Sequence, residues 1–252
     1  AAAASFPCAS PADARVTTSM AYRLSGDYWR PNSYALFFGF AAGLQGTATA
    51  AADILLTRNA TGVVAGAPPC EWVWLNADPD RISGLRFEAA VAGVVDVDVV
   101  AAVASIVRHP TVSDVVGVQL PADVLAALQG APAAQLLLSA RFTLDIQPGL
   151  DGLYLSRWTD DEGVLHNMVA SQFEATSARK AFPCVDQPGS KATFHVSAGC
   201  TACAGFTTLG NMPVRRKTTS TDTIDAPAWA GAASQAASAY MSSSSSSITT
   251  FD

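Results

Sequence analysis

Apolar and polar positions alternate with a period of two over much of the chain, the signature of half-buried strands. Tyr34, Leu36, Phe38 and Phe40 alternate with Ala35, Phe37 and Gly39, which predicts a strand with one strongly apolar face. Gly43 and Gly46 punctuate it, and Thr47 to Leu56 reads as the returning strand of a hairpin. Glu71 to Ala77 and Ile82 to Phe87 read as a third and a fourth strand. Val95 to Val99 alternates again, while Val99 to Val107 fits helix or strand equally. Ala122 to Leu128 predicts a short helical turn closed by Gly130. From Gln135 to Ile146 the residues Leu136, Leu138, Ala140, Phe142, Leu144 and Ile146 share one face of a long strand. Gly149 to Trp158 and Leu165 to Gln172 flank the turn Asp160-Asp161-Glu162-Gly163, and Lys191 to Val196 alternates once more. The pattern is that of an all-β chain.

Composition adds limits. The 252 residues suit one large β domain or two ordinary ones. A net charge of −6 leaves no basic footprint for nucleic acid. Residues 1–21, rich in Ala, Ser, Pro and Thr, read as a loose arm; the Ala-rich stretch and Ser242 to Ser247 read as a low-complexity loop. Arg215-Arg216-Lys217 reads as a solvated turn. No apolar run approaches the roughly 18 residues that cross a membrane, and no signal-peptide pattern is visible. The start, Ala1 to Ala4 with no Met, reads as the interior of a longer open reading frame. The compartment is not fixed, with the cytoplasm slightly favoured.

Candidate chemistry outside one segment is sparse. The five cysteines are scattered, which does not suggest a disulfide framework, and Cys200 and Cys203 have no second pair or His to complete a zinc site. Asn59-Ala60-Thr61 is a glycosylation sequon, meaningful only in a secreted chain; such sequons arise often by chance, and this one reads as chance. Trp72 and Trp74 read as core rather than as a sugar platform, since no convergent polar groups lie nearby. Asp96 and Asp98 read as a solvent face rather than a calcium site, because no further oxygen donors cluster there.

The exception is Ser171 to Pro188, SQFEATSARKAFPCVDQP. In extended backbone Gln172 and Glu174 point one way and Phe173 the other, so an amide oxygen and a carboxylate stand side by side over an apolar anchor. Such a pair suits an ammonium-bearing ligand. Thr176 or Ser177 offers a helix cap, Pro183 stops the helical turn, and Asp186 and Pro188 signal another turn.

This run closely resembles the signature T-Q-F-E-x-T-x-A-R-x-A-F-P-C-x-D-E-P of the M1 family of zinc aminopeptidases, with Ser171 and Gln187 as departures. Arg23-Leu24, Pro31, Tyr34, Leu36, Leu75-Asn76-Ala77 (with Asn76 in place of the usual His), Gly152 to Ser156, Lys191 to Phe194 and Leu209 to Pro213 fall in step with the same family. The resemblance implies that residues 22–252 form the N-terminal β domain of such an enzyme, a saddle-like β-sandwich of mostly antiparallel strands with one or two short helical turns. It implies that Gln172 and Glu174 border the site for the substrate's first residue and hold its free α-amine. Arg179, Asp186 and Lys191 would be structural, supplying turn hydrogen bonds and an ion pair. The family's zinc motif H-E-x-x-H and its G-A-M-E-N loop do not occur here, so the zinc would be held by a catalytic domain outside this chain. The chain would then bind no metal itself and be inactive alone. The alternative is a non-catalytic interaction module on the same β domain.

Overall fold

Extended backbone puts every second side chain on one face, and a strand persists where that face finds an apolar neighbour. The computed structural model describes residues 26–41, 44, 46–61, 68–92, 100–103, 105–109, 112–131, 134–201, 206–218, 227, 229–242 and 246–251. The expected arm, the Val95 to Val99 strand and Cys203 lie outside these described residues. In chain order the strands are β1 (Gly26–Phe40), β2 (Thr47–Thr61), β3 (Trp72–Asn76), β4 (Ile82–Ala92), β5 (Val100–Ala102), β6 (Ser105–Arg108), β7 (Val115–Gln119), β8 (Gln135–Asp145), β9 (Gly152–Thr159), β10 (Leu165–Gln172), β11 (Thr193–Thr201), β12 (Val214–Thr218) and β13 (Ser246–Phe251). Helix α1 (Ala122–Gly130) follows β7, and helix α2 (Ala232–Ser242) follows β12.

Eight strands form one sheet in the order β12-β13-β11-β1-β2-β8-β4-β5. A second sheet runs β3-β7-β6, and β9 and β10 pair as a two-stranded ribbon. The pairings are antiparallel apart from β1 with β11, which is parallel over Ser33↔Thr193 to Phe40↔Cys200. The main core gathers one face of the large sheet, including Leu36, Phe38, Ile54, Phe87 and Leu138. Against it pack Val73, Leu75, Val116 and Val118 of the small sheet and Val124 and Leu128 of α1. The fold is an all-β sandwich, as the alternation and the resemblance imply.

The tryptophans are core residues of an unexpected kind. Val73 and Leu75 enter the main core, so the strand's parity sends Trp72 and Trp74 to the other side of the small sheet. There they are buried with Val115, and a side chain on Gly117 would collide with the Trp74 ring at 2.8 Å.

Four expectations need correcting. The Ala-rich stretch is the helix α2 rather than a loop. Buried Asp53 of β2 accepts hydrogen bonds from Ala233 N (2.9 Å) and Ser139 Oγ (2.5 Å), satisfying the helix's first turn from the sheet below. The small side chains of Ala233, Ala236 and Ala237 then let it lie on Ala35, Phe37 and Ala51. Gly130 is the last residue of α1 rather than its closing position, which Ala131 takes. Arg215 to Lys217 form the exposed edge strand β12, where charge guards an open sheet edge, rather than a turn.

The fourth concerns sulfur. Cys70 and Cys200 are disulfide-bonded, and Cys184 is a buried thiol. The Cys70 carbonyl accepts from Trp29 Nε1 (3.0 Å), whereas Cys200 stands opposite Phe40. They sit at opposite ends of β1, far beyond the roughly 7 Å between Cα atoms that a disulfide spans, so they are not bonded to each other. Scatter in sequence is no measure of separation in space.

Candidate functional site

The site is built where the ribbon meets the sandwich. β9 and β10 pair in register from Leu165↔Thr159 to Gln172↔Gly152. Side chains of paired residues share a face, so Gln172, Met168 and His166 share one with Trp158. The opposite face presents Leu153, Leu155 and Val169 to the main core. Sequence reasoning placed the ribbon correctly but gave no role to Trp158 or His166. Their rings stack at 4.4 Å, and His166 Nε2 lies 2.6 Å from Asp160 Oδ2 in the turn. That hydrogen bond, helped by the Val164 N–H, holds the Asp160 carboxyl below its ordinary range.

Beyond Gln172 the chain leaves the ribbon. Phe173 packs edge-on against Phe182 with ring centroids 5.9 Å apart, so the expected apolar anchor is present. Gln172 and Glu174 are both exposed, and Gln172 Oε1 accepts the Glu174 N–H at 3.1 Å. The Glu174–Ala175 peptide is cis. The expected helical segment is a single 3-10 turn, Ala178–Lys180, and no side-chain bond caps it, so neither Thr176 nor Ser177 serves as predicted.

The second half of the segment is clamped. Arg179 Nε donates to Asp186 Oδ2 (2.8 Å), and its Nη1 pairs with Asp114 Oδ2 at the turn before β7. Burial works against the Arg179 charge, but the bonds to Asp186 and Asp114 outweigh it and raise its pKa. Asn76 at the end of β3 exchanges backbone hydrogen bonds with Cys184 (2.7 and 3.0 Å), and its Oδ1 accepts the Asp186 N–H (3.3 Å). Tyr34 Oη accepts the Val185 N–H at 3.1 Å. Lys180 Nζ donates to Asp151 Oδ2 (2.5 Å), which keeps that carboxyl below its ordinary range. Lys180 also passes so close to Gly152 that a Cβ there would lie 2.6 Å from its own. The structural reading of Arg179 and Asp186 therefore holds, whereas Lys191 stays exposed. Asp114, Tyr34 and Asp151 were invisible as partners because they lie far off in sequence.

Among the described residues, no group of three or more His, Cys, Asp or Glu is arranged to hold a metal ion. His109 is buried beside Trp74, His166 is on the ribbon, and His195 is buried in β11. These residues do not fit a zinc site, and no metal chemistry is derived from them. Among the described residues, no helix is long and apolar enough to cross a membrane.

Similarity to known proteins follows the same geography. The chain is 34% identical to aminopeptidase N of Lactobacillus delbrueckii subsp. lactis over 89 residues, 35% of this chain and 10% of that protein. It is 41% identical to aminopeptidase Q of Mus musculus over 83 residues, 32% of this chain and 14% of that protein. It is 36% identical to glutamyl aminopeptidase of Rattus norvegicus over 95 residues, 38% of this chain and 10% of that protein. The matched stretches thus span about a tenth of these relatives. The peptidase M1 N-terminal domain matches residues 109–241, which take in α1, the ribbon, the clamped turn and all but the last residue of α2. With more than half of its length so matched, this chain belongs to the peptidase M1 family, through that family's N-terminal domain.

Proposed function

We propose that this chain is the substrate-site wall of a zinc aminopeptidase that removes N-terminal residues from peptides. Gln172 and Glu174 would receive the free α-ammonium of the substrate. The observation that carries this is the end of β10, where Phe173 is anchored on Phe182 while the amide and carboxylate on either side stand exposed. A carboxylate fixed by an anchored backbone pairs with an ammonium through charge-assisted hydrogen bonds, and measuring from that charge confines cleavage to the first peptide bond. The zinc, its water and the general base would come from residues outside this chain, which alone would be inactive.

The ribbon supports the same reading. Two-stranded ribbons are marginal by themselves, and on the face that carries Gln172 this one exposes Trp158 and Met168, each about half open to solvent. Large apolar side chains left open together mark a surface that another body covers. A zinc-bearing domain of the same polypeptide, seated on the ribbon face that carries Gln172, would shield Glu174 from water and strengthen its grip on an ammonium.

The test is Glu174→Ala in the full-length protein, assayed on an amino-acid amide. The expected loss in kcat/KM is about tenfold to a hundredfold, the scale of one hydrogen bond to a charged group. Unchanged activity sinks the role of Glu174. A full-length sequence without H-E-x-x-H would turn the reading to a non-catalytic interaction module.

A further inference from the structure

Two observations unrelated to the peptidase site converge on a covalent modification. The first is the pair of disulfide-bonded cysteines, Cys70 and Cys200, at opposite ends of β1. Persistent structural disulfides belong to oxidising compartments, whereas the thiol pools of the cytosol keep cysteines reduced. The second is the position of Asn59. It stands in Asn59-Ala60-Thr61, and of the chain's asparagines it alone has Ser or Thr two residues on. On β2 it alternates with Asp53, Leu55 and Thr57, so it faces away from the core residues Ala52, Ile54 and Leu56.

β8 does not reach along the strand as far as Asn59. β8 pairs with β2 only from Thr47↔Asp145 to Leu56↔Leu136. At Asn59 the sole strand partner among the described residues is β1, through Tyr28. Among the described residues the β1–β2 pair thus runs on beyond β8, and Asn59 is half-buried on its outer face. On sequence alone the sequon means little; the disulfides supply the compartment in which it would be read.

We infer that this chain matures in an oxidising compartment that transfers oligosaccharides, and that Asn59 carries an N-linked glycan. The donor class is a polyprenyl-diphosphate oligosaccharide. The Asn59 Nδ2 forms a bond to the anomeric carbon of the first sugar, and the bond from that carbon to the phosphate oxygen breaks. The diphosphate leaves with the electron pair, and Nδ2 gives up one proton to a base of the transferase. Each disulfide forms with loss of two protons and two electrons to a thiol oxidoreductase in its disulfide form, which becomes a dithiol. This departs from the slight preference for the cytoplasm read from the sequence.

The experiment uses the protein isolated from its own cells. Proteolytic peptides carrying Asn59 are weighed before and after peptide:N-glycosidase, and thiols are alkylated under denaturing conditions before and after reduction. The expected result is an Asn59 peptide released only by the glycosidase, with Asn59 converted to Asp, and most cysteines alkylated only after reduction. An Asn59→Gln variant should lose the glycosidase-dependent mass shift while keeping its disulfides. An unmodified Asn59 peptide at full abundance before treatment overturns the inference, as does alkylation of all five cysteines without reduction.

Discussion

The segment from Ser171 to Pro188 divides into two halves that obey different physics. From Arg179 to Asp186 it is cross-linked, and buried from Ala181 onward: Arg179 to Asp186 and Asp114, Cys184 to Asn76, Val185 to Tyr34. From Gln172 to Glu174 its polar side chains are exposed, and only Phe173 turns inward. One half is scaffold and the other is presented to a ligand. The difference shows how a site gains precision on a modest domain: the group that must touch the ligand is left open, and rigidity is supplied a few residues away.

That contrast can be broken most directly at Phe182. Its ring meets Tyr34, Phe173 and Phe194 edge-on and is almost fully buried. Phe182→Ala should cost about 4 kcal/mol of unfolding free energy in urea titration. A loss below about 1 kcal/mol would mean that the scaffold half collapses onto the space and is not rigid. Arg179→Ala should cost about 3 kcal/mol in the same titration, because it strands the buried Asp186 carboxylate. An unchanged denaturation midpoint would reduce the Arg179 cluster to a solvated pair. At the other extreme, Glu174→Ala should alter stability by no more than about 0.5 kcal/mol, as expected of an exposed side chain. A larger loss would place Glu174 in the scaffold and erase the division.

How much of this could be read from the residues depended on the range of the interactions. β1, β2, β3, β8 and the ribbon follow from local alternation, and β10 begins and ends at the predicted Leu165 and Gln172. The inward turn of Phe173 follows from the same parity. Helix α2 was illegible because an Ala- and Ser-rich run has no apolar period, and its first turn is satisfied by Asp53, 180 residues earlier. β1 extends back to Gly26, beyond the alternation that begins at Tyr34, and takes in Pro31. In the fold a register shift between Pro31 and Ser33 absorbs it. Asp114 reaches Arg179 across 65 residues, a distance at which residue spacing carries no signal.

The parallel seam between β1 and β11 bears on how the chain comes off the ribosome. β1 and β2 are made before β11 and join as a hairpin, but the other edge of β1 must wait for a strand 160 residues away. Until β11 emerges, that edge presents unpaired amides and carbonyls along one of the most apolar strands in the molecule. Closure of this edge is therefore a late, long-range pairing of the kind that slows folding. Synthesis halted before Thr193 would leave the central strand of the large sheet open to pairing with a neighbouring chain.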